Sequence, residues 1–143
     1  MIITPLTEAS EKALADINKL LVQLRESPDE HDASHADLEA VVGDANAVLM
    51  TVQDEGRIVG MGTLYILQKL GKRVAHIEDV IVLDEYRGQG LGQKLVEAII
   101  EAAKLKNIRT LSLTSRPARA AANKLYQKVG FTLKETNVYR MKF

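Results

Sequence analysis

Apolar residues recur every three to four positions in four segments of the chain, which is the spacing of one face of an α-helix. Thr7 precedes the first segment and is the expected N-cap, and Gly130 suits the end of the last. The four helices are predicted over residues 8–25, 34–43, 91–106 and 116–129.

Between the helical segments lie short runs rich in β-branched and apolar residues, which favour strands. The strands are predicted over residues 1–4, 46–53, 57–67, 73–83, 108–115, 131–135 and 137–143. Antiparallel hairpins come first and strand–helix units follow. This order predicts an α/β fold with a mixed, largely antiparallel sheet of six to seven strands and helices on both faces.

Composition limits the class of protein. The chain has 143 residues, 46% of them apolar, which fits a single domain over residues 1–143. Its 19 basic and 19 acidic side chains argue against a nucleic-acid partner, and the absence of cysteine excludes disulfides and thiolate chemistry. The N-terminus does not resemble a signal peptide, and no segment reaches the roughly 20 apolar residues of a membrane span. We therefore expect a cytoplasmic protein without a membrane partner.

A glycine-rich turn connects the strand over residues 73–83 to the next helix. Its sequence, "DEYRGQGLGQKL", has glycine at positions 88, 90 and 92, and Arg87 beside them. The backbone N–H groups of such a turn and of the first helical turn are free to bind an anion such as phosphate. The spacing fits neither the dinucleotide fingerprint nor the nucleotide P-loop. The alternative is a tight connection whose glycines only close the turn.

Two motifs resemble those of the GNAT N-acetyltransferase superfamily. The first is "VIVLDEYRGQGLGQKL", in which Arg87, Gly90 and Gly92 occupy the fixed positions of an acetyl-CoA signature. The second is "KLYQKVGF", which supplies Leu125 and Tyr126 to a pattern at the end of a helix. The motifs occur in the expected order with one strand between them. The resemblance covers roughly residues 47–135, and "HIEDVIV" is locally similar to glucosamine phosphate acetyltransferases.

The resemblance implies a GNAT fold, with acetyl-CoA bound in a V-shaped split between strands 4 and 5. The backbone of Val80, Ile81 and Val82 would pair with the pantetheine arm, and an amide there would polarise the acetyl carbonyl. The residues implied for the pyrophosphate are Arg87, Gly88, Gln89, Gly90, Leu91, Gly92 and Gln93.

The helix over residues 116–129 offers further polar groups toward the same ligand. Asn123 could bond the pantetheine arm. Many relatives place an asparagine seven residues before the tyrosine, where this chain has Arg119. Arg119 and Arg116 could contact the 3′-phosphate of the nucleotide, or could simply be solvated.

Two adjacent carboxylates interrupt an otherwise apolar strand. Burial of an unpaired Glu78 or Asp79 would cost several kcal/mol, and strict alternation would let only one of them face the split. The resemblance implies that Glu78 is the general base, directly or through water, and that Asp79 is structural or orients the substrate. The alternative is a carboxylate that caps the backbone or pairs with Arg73 or Lys72.

Tyr126 is implied by the same resemblance as the acid that protonates the departing thiolate, although a tyrosine on an apolar helix face is usually a core residue. His31 and His35 are four positions apart but lack a clear third ligand, so we expect no metal site.

The implied function is transfer of an acetyl group from acetyl-CoA to a primary amine of a small molecule, of amino-sugar, amino-acid or polyamine type. A peptide or protein acetyltransferase and a non-catalytic CoA-binding module are the alternatives. The alternating apolar residues of 137–143 make the last strand a candidate edge for a homodimer.

Overall fold

A single sheet with helices packed on it organises the chain. The computed structural model describes residues 1–143. The strands are β1 (Ile2–Pro5), β2 (Ala47–Asp54), β3 (Arg57–Lys69), β4 (Lys72–Val82) and β5 (Thr110–Ser112). The helices are α1 (Glu11–Leu24), α2 (His35–Val42), α3 (Leu91–Leu105) and α4 (Ala120–Lys128). No helix is both long enough and apolar enough to cross a membrane.

The start of α1 differs from the sequence prediction. Ser10 is its N-cap, and the Ser10 hydroxyl accepts a bond of 3.1 Å from the Ala13 N–H. Thr7 cannot begin the helix because the Leu6 N–H still bonds to the Leu49 carbonyl, 2.8 Å away, alongside the β1–β2 ladder. The Thr7 prediction is therefore wrong. The second helix begins at His35, with Ser34 as its N-cap, within one residue of the predicted start.

The strand order in the sheet is β1-β2-β3-β4-β5. The first four strands are antiparallel neighbours, and β5 is parallel to β4. Residues 58–64 of β3 are all buried. Because successive side chains of a strand point to opposite faces, both faces of the sheet must be covered. Both α1 and α3 pack on β3 and β4, and the core lies between these layers.

The last pair of strands separates early. β4 pairs with β5 only from Val74 opposite Thr110 to His76 opposite Ser112, although β4 continues to Val82. The β5 side of β4 is therefore open beyond His76. This opening, called the split below, confirms the predicted separation between strands 4 and 5.

The predicted number of strands is wrong. Residues 131–135 and 137–143 do not form strands, and the sheet has five strands instead of six or seven. A strand requires a hydrogen-bonded neighbour, and the chain after α4 has none within this molecule. We call residues 132–143 the C-terminal tail.

Candidate active site

The glycine-rich turn presents backbone donors at the start of α3. Gly88 and Gly90 have φ of 76° and 74°, a left-handed conformation that side chains with a Cβ rarely adopt. Gly90 is the N-cap of α3, and no side chain caps the helix there. The first N–H groups of α3 therefore remain available for an external acceptor, where the helix dipole favours negative charge.

Arg87 supplies a cation beside these donors. Its Nη1 lies 2.8 Å from Asp84 Oδ1, and its Nε donates to the Val82 carbonyl at 3.4 Å. The side chain is 57% exposed, so the guanidinium keeps part of its surface free while its stem is held against the end of β4.

A cavity of about 750 Å³ extends from this turn along β4 to α4. Most of the residues predicted to hold acetyl-CoA line it. These are Val80, Ile81, Val82, Arg87, Gly88, Gly90, Leu91, Gly92 and Gln93. Gln89 and Asn123 do not line the cavity.

Asn123 makes its hydrogen bonds within the protein. Its Nδ2 donates to the carbonyls of Arg116, at 2.9 Å, and Arg119, at 3.0 Å. Both amide hydrogens are therefore used within the protein, where they hold the segment that leads into α4. Asn123 supports the wall of the cavity and does not face it.

The wall formed by α4 includes residues that the sequence prediction missed. Ala118, Ala120, Ala121 and Ala122 line the cavity beside Arg119. These alanines are not the residues that bring α4 close to α3. That contact is at Gly92, where an added Cβ would lie 3.2 Å from Leu125 Cδ1. The small side chains at the start of α4 thus leave room for a ligand. The run of alanines before Tyr126 is the feature of the sequence that could have indicated this wall.

A β-bulge interrupts β4 at the inner end of the cavity. Thr63 pairs with Glu78 and Met61 pairs with Ile81, so Asp79 and Val80 together oppose Gly62. Asp79 has φ of 55°, which aspartate tolerates better than most residues. The alternation of side chains is therefore broken, so alternation along β4 does not decide which carboxylate faces the split, and neither of them lines the cavity. Both Glu78 and Asp79 remain accessible to solvent.

Both carboxyl groups have a raised pKa. Partial burial and then the negative charge of Asp79 raise the pKa of Glu78, and His76 opposes them. Partial burial and the charge of Glu30 raise the pKa of Asp79. Arg73 instead donates to the Lys106 carbonyl at 3.0 Å, so the predicted alternative of a pair with Glu78 is not formed.

Tyr65 is a further residue at this end of the split that the sequence prediction missed. It lies opposite His76, one pair beyond Thr63 and Glu78 along the same face of β3 and β4. Burial and the charge of Asp79 raise the pKa of its hydroxyl. In the sequence, Tyr65 is two positions from Thr63, which is the spacing of residues on one face of a strand. Only the pairing register of β3 with β4 places Tyr65 beside the carboxylates.

Tyr126 faces the cavity from α4. It is 7% exposed, and its ring makes an edge-to-face contact with Phe131 at 6.0 Å between centroids. Burial raises the pKa of the Tyr126 hydroxyl, and the charge of Arg119 opposes that rise. The hydroxyl therefore stays protonated at neutral pH and can donate a proton.

These residues fit the ligand that the sequence resemblance implies. Left-handed glycines, an uncapped helix N-terminus and Arg87 together suit a diphosphate. The apolar wall beside an unpaired strand edge suits an extended arm that ends in a thioester, and the volume is that of an ordinary ligand pocket. No group of histidine and acidic side chains that could hold a metal ion is present.

Comparison with known proteins identifies the family. The model of the "Acetyltransferase (GNAT) family" matches residues 14–131. A probable glucosamine 6-phosphate N-acetyltransferase 2 from Oryza sativa subsp. japonica is 36% identical over 125 residues, which are 80% of this chain and 73% of that one. The glucosamine 6-phosphate N-acetyltransferase of Trypanosoma brucei brucei is 38% identical over 86 residues, which are 58% of this chain and 56% of that one.

A solved structure extends the match over nearly the whole length. The glucosamine-6-phosphate N-acetyltransferase from Arabidopsis thaliana has a TM-score of 0.81 at 25% identity, over 98% of this chain and 97% of that one. The family match, the fold and the geometry of the site agree. The chain therefore belongs to the GNAT acetyltransferase family and is an acetyl-CoA-dependent N-acetyltransferase.

Proposed function

We propose that this enzyme transfers the acetyl group of acetyl-CoA to a primary amine of a small molecule, of amino-sugar, amino-acid or polyamine type. One observation carries the proposal. Residues Val80 to Val82 of β4 line the cavity. The solvent-accessible carboxylates of Glu78 and Asp79 come directly before them in the chain. The thioester end of the cavity and a basic group therefore meet on a single strand.

Glu78 acts as the general base in this scheme. It accepts a proton from the acceptor ammonium, directly or through water, so that the neutral nitrogen can attack the thioester carbonyl. The raised pKa of its carboxyl makes it a stronger base than an ordinary glutamate. A backbone N–H beside the bulge at Asp79 and Val80 donates to the carbonyl oxygen, where negative charge develops.

Tyr126 acts as the general acid. As the carbon–sulfur bond breaks, its electron pair goes to sulfur, and the Tyr126 hydroxyl gives its proton to that sulfur. The nitrogen of the addition intermediate gives its second proton to water, and solvent returns a proton to the tyrosinate. Glu78 releases to solvent the proton that it accepted. The buried ring is held by Phe131 and lines the same cavity, which supports this role.

The acceptor class rests on charge and on the relatives. Glu78, Asp79 and the nearby charge of Glu30 favour an acceptor that arrives as an ammonium ion. The Oryza sativa relative and the Arabidopsis thaliana structure carry the name of glucosamine 6-phosphate, so an amino sugar is the first candidate.

A panel of acceptors tests this proposal. Purified protein and acetyl-CoA are mixed with glucosamine, glucosamine 6-phosphate, lysine, spermidine or an alanine-terminated peptide, and free thiol is measured. We expect saturable release with at least one small amine. Release with the peptide alone would replace this proposal by a peptide acetyltransferase.

The turn glycines provide a prediction about acetyl-CoA binding. A Cβ at Gly90 would meet no atom within 4 Å, so the cost of Gly90→Ala is the left-handed conformation itself, about 1–2 kcal/mol. When the turn relaxes to relieve this strain, its N–H groups no longer point toward the diphosphate. We expect calorimetric titration to show acetyl-CoA affinity reduced about tenfold.

The matched control for Gly90→Ala is Gly71→Ala. Gly71 has φ of 78° and equally open surroundings, but it lies in the β3–β4 hairpin away from the cavity. It should lose similar stability and keep its affinity. Equal affinities of the two variants would refute binding by the turn backbone.

We also propose that the enzyme is a homodimer in which the C-terminal tail of each copy pairs with β5 of the other. The tail exposes five large apolar side chains, namely Leu133, Val138, Tyr139, Met141 and Phe143. Four of them occupy odd positions and would share one face of an extended strand. The outer edge of β5 has no neighbour in the sheet. A second copy supplies the strand beside β5 and covers the exposed apolar side chains of the tail.

Light scattering tests the homodimer. The wild-type protein is expected at twice the chain mass at micromolar concentration. Tyr139→Asp combined with Met141→Asp should yield monomers, because two charges would enter the apolar face. Arg140→Asp, on the opposite face, is the control and should remain dimeric. A wild-type protein at monomer mass across this range would contradict the proposal.

A further inference from the structure

We infer that Arg119 stabilises the tyrosinate that remains after Tyr126 has given its proton to sulfur. This role rests on the proposed function of Tyr126. Arg119 and Tyr126 both line the cavity, and they are seven residues apart in sequence. Arg119 is the N-cap of α4 and Tyr126 lies within the helix, so both side chains enter the cavity from the same element.

Arg119 makes contacts through both its backbone carbonyl and its guanidinium. It is the N-cap of α4, where its carbonyl accepts bonds from the Asn123 N–H and Nδ2, each of 3.0 Å. The guanidinium is half-buried and its Nη2 lies 3.5 Å from the Val80 carbonyl. Arg119 thus crosses the split from α4 to the bulge of β4, beside the place proposed for the thioester.

The charge of Arg119 is not neutralised by the protein. Arg87 is paired with Asp84, and Arg116 lies 3.2 Å from Glu26. Arg119 takes part in none of the ion pairs of the structure. A half-buried cation without a counter-ion interacts strongly with any negative charge that forms nearby.

The negative charge in question forms during the acetyl transfer. When the carbon–sulfur bond breaks and Tyr126 gives up its proton, the charge moves from sulfur to the phenolic oxygen. Arg119 opposes the effect of burial on the pKa of Tyr126, which is the direction that favours the tyrosinate. Arg119 therefore makes a buried phenol a more effective acid.

The contact with Val80 separates this role from binding of the 3′-phosphate. The donors for phosphate groups lie at Gly88 to Gln93, beyond the Val82 end of β4. Val80 is two residues further from that turn. Arg119 is thus at the thioester end of the cavity, and its loss should affect the chemical step more than binding of the nucleotide.

The test measures the pKa of Tyr126 in the protein without ligand. Chemical shifts of ¹³Cζ-labelled tyrosine are followed against pH, and Tyr126→Phe assigns the resonance. Arg119→Ala is expected to raise the pKa of Tyr126, because the cation that favours the charged form is gone. Arg119→Lys keeps the charge and should hold the pKa near that of the wild type, as should the control Arg116→Ala.

Kinetics supply the second readout. Arg119→Ala should lower kcat about tenfold, the scale of one interaction between partly buried charges, while KM for acetyl-CoA changes less. Arg119→Lys should restore most of kcat. An unchanged pKa of Tyr126 in Arg119→Ala would overturn the inference, as would a rise confined to KM. Full kcat in Tyr126→Phe would instead refute the proposed acid, whatever the titration of Arg119→Ala gives.

Discussion

Tyr126→Phe is expected to lower kcat about 100-fold or more, which is the usual contribution of a general acid. The substitution removes one hydroxyl and keeps the ring, so the edge-to-face contact with Phe131 and the wall of the cavity remain. Binding of acetyl-CoA should therefore change little. The matched control is Tyr139→Phe in the C-terminal tail, which removes the same atom away from the cavity.

The protonation of Tyr126 sets the alkaline behaviour of the wild type. Burial raises the pKa of Tyr126 above 10.0, the ordinary value for tyrosine, so the acid form persists through the neutral range. Activity should fall only when the pH exceeds that raised pKa. If Tyr126→Phe keeps kcat within about twofold of the wild type, a different group protonates the thiolate.

Glu78→Gln is expected to lower kcat/KM about 100-fold at neutral pH, since the amide cannot accept the ammonium proton. The wild-type rate should fall as the pH decreases through the pKa of Glu78, which is raised above the ordinary 4.5. This decrease occurs at a higher pH than for an ordinary glutamate. In Glu78→Gln the decrease should disappear.

Asp79→Asn is the matched control for Glu78→Gln. It removes a neighbouring negative charge that raises the pKa of Glu78, so the acid limb of the rate profile should move to lower pH while most of the rate remains. An acid limb that persists unchanged in Glu78→Gln would show that Glu78 is not the base.

Stability of Glu78→Gln serves as a control for folding. The raised pKa of Glu78 means that its charged form gains nothing from the folded environment. The neutral variant should therefore melt at the same temperature as the wild type or higher. If Glu78→Gln melts at a lower temperature than the wild type, the activities of the two proteins must be compared at equal concentrations of folded protein.

The glycine-rich turn at the start of α3 could be predicted from the sequence because its determinants are local. A strand, the glycines around Gly90 and the start of α3 follow one another without interruption, and backbone conformation alone defines the donors. Helical periodicity likewise placed Tyr126 on α4. Contacts within a few residues of one another need no knowledge of the rest of the fold.

The remaining parts depend on contacts between distant segments. The bulge at Asp79 arises where Asp79 and Val80 oppose the single residue Gly62 of β3, and strict alternation along β4 gave no sign of it. Thr7 failed as an N-cap because Leu6 is still bonded to Leu49 in β2.

The role predicted for Asn123 depends on a contact between distant segments in the same way. A choice between Asn123 and Arg119 required knowledge of which face of α4 meets β4. The final strands were predicted from an alternating pattern, but that pattern does not specify which molecule supplies the partner.

The most direct test of the account is amine-dependent release of thiol from acetyl-CoA, compared between the wild type and the double variant Glu78→Gln, Tyr126→Phe at saturating acetyl-CoA. We expect release by the wild type that requires an acceptor amine, and loss of that release in a double variant that still binds acetyl-CoA. Equal amine-dependent release by both proteins would contradict it.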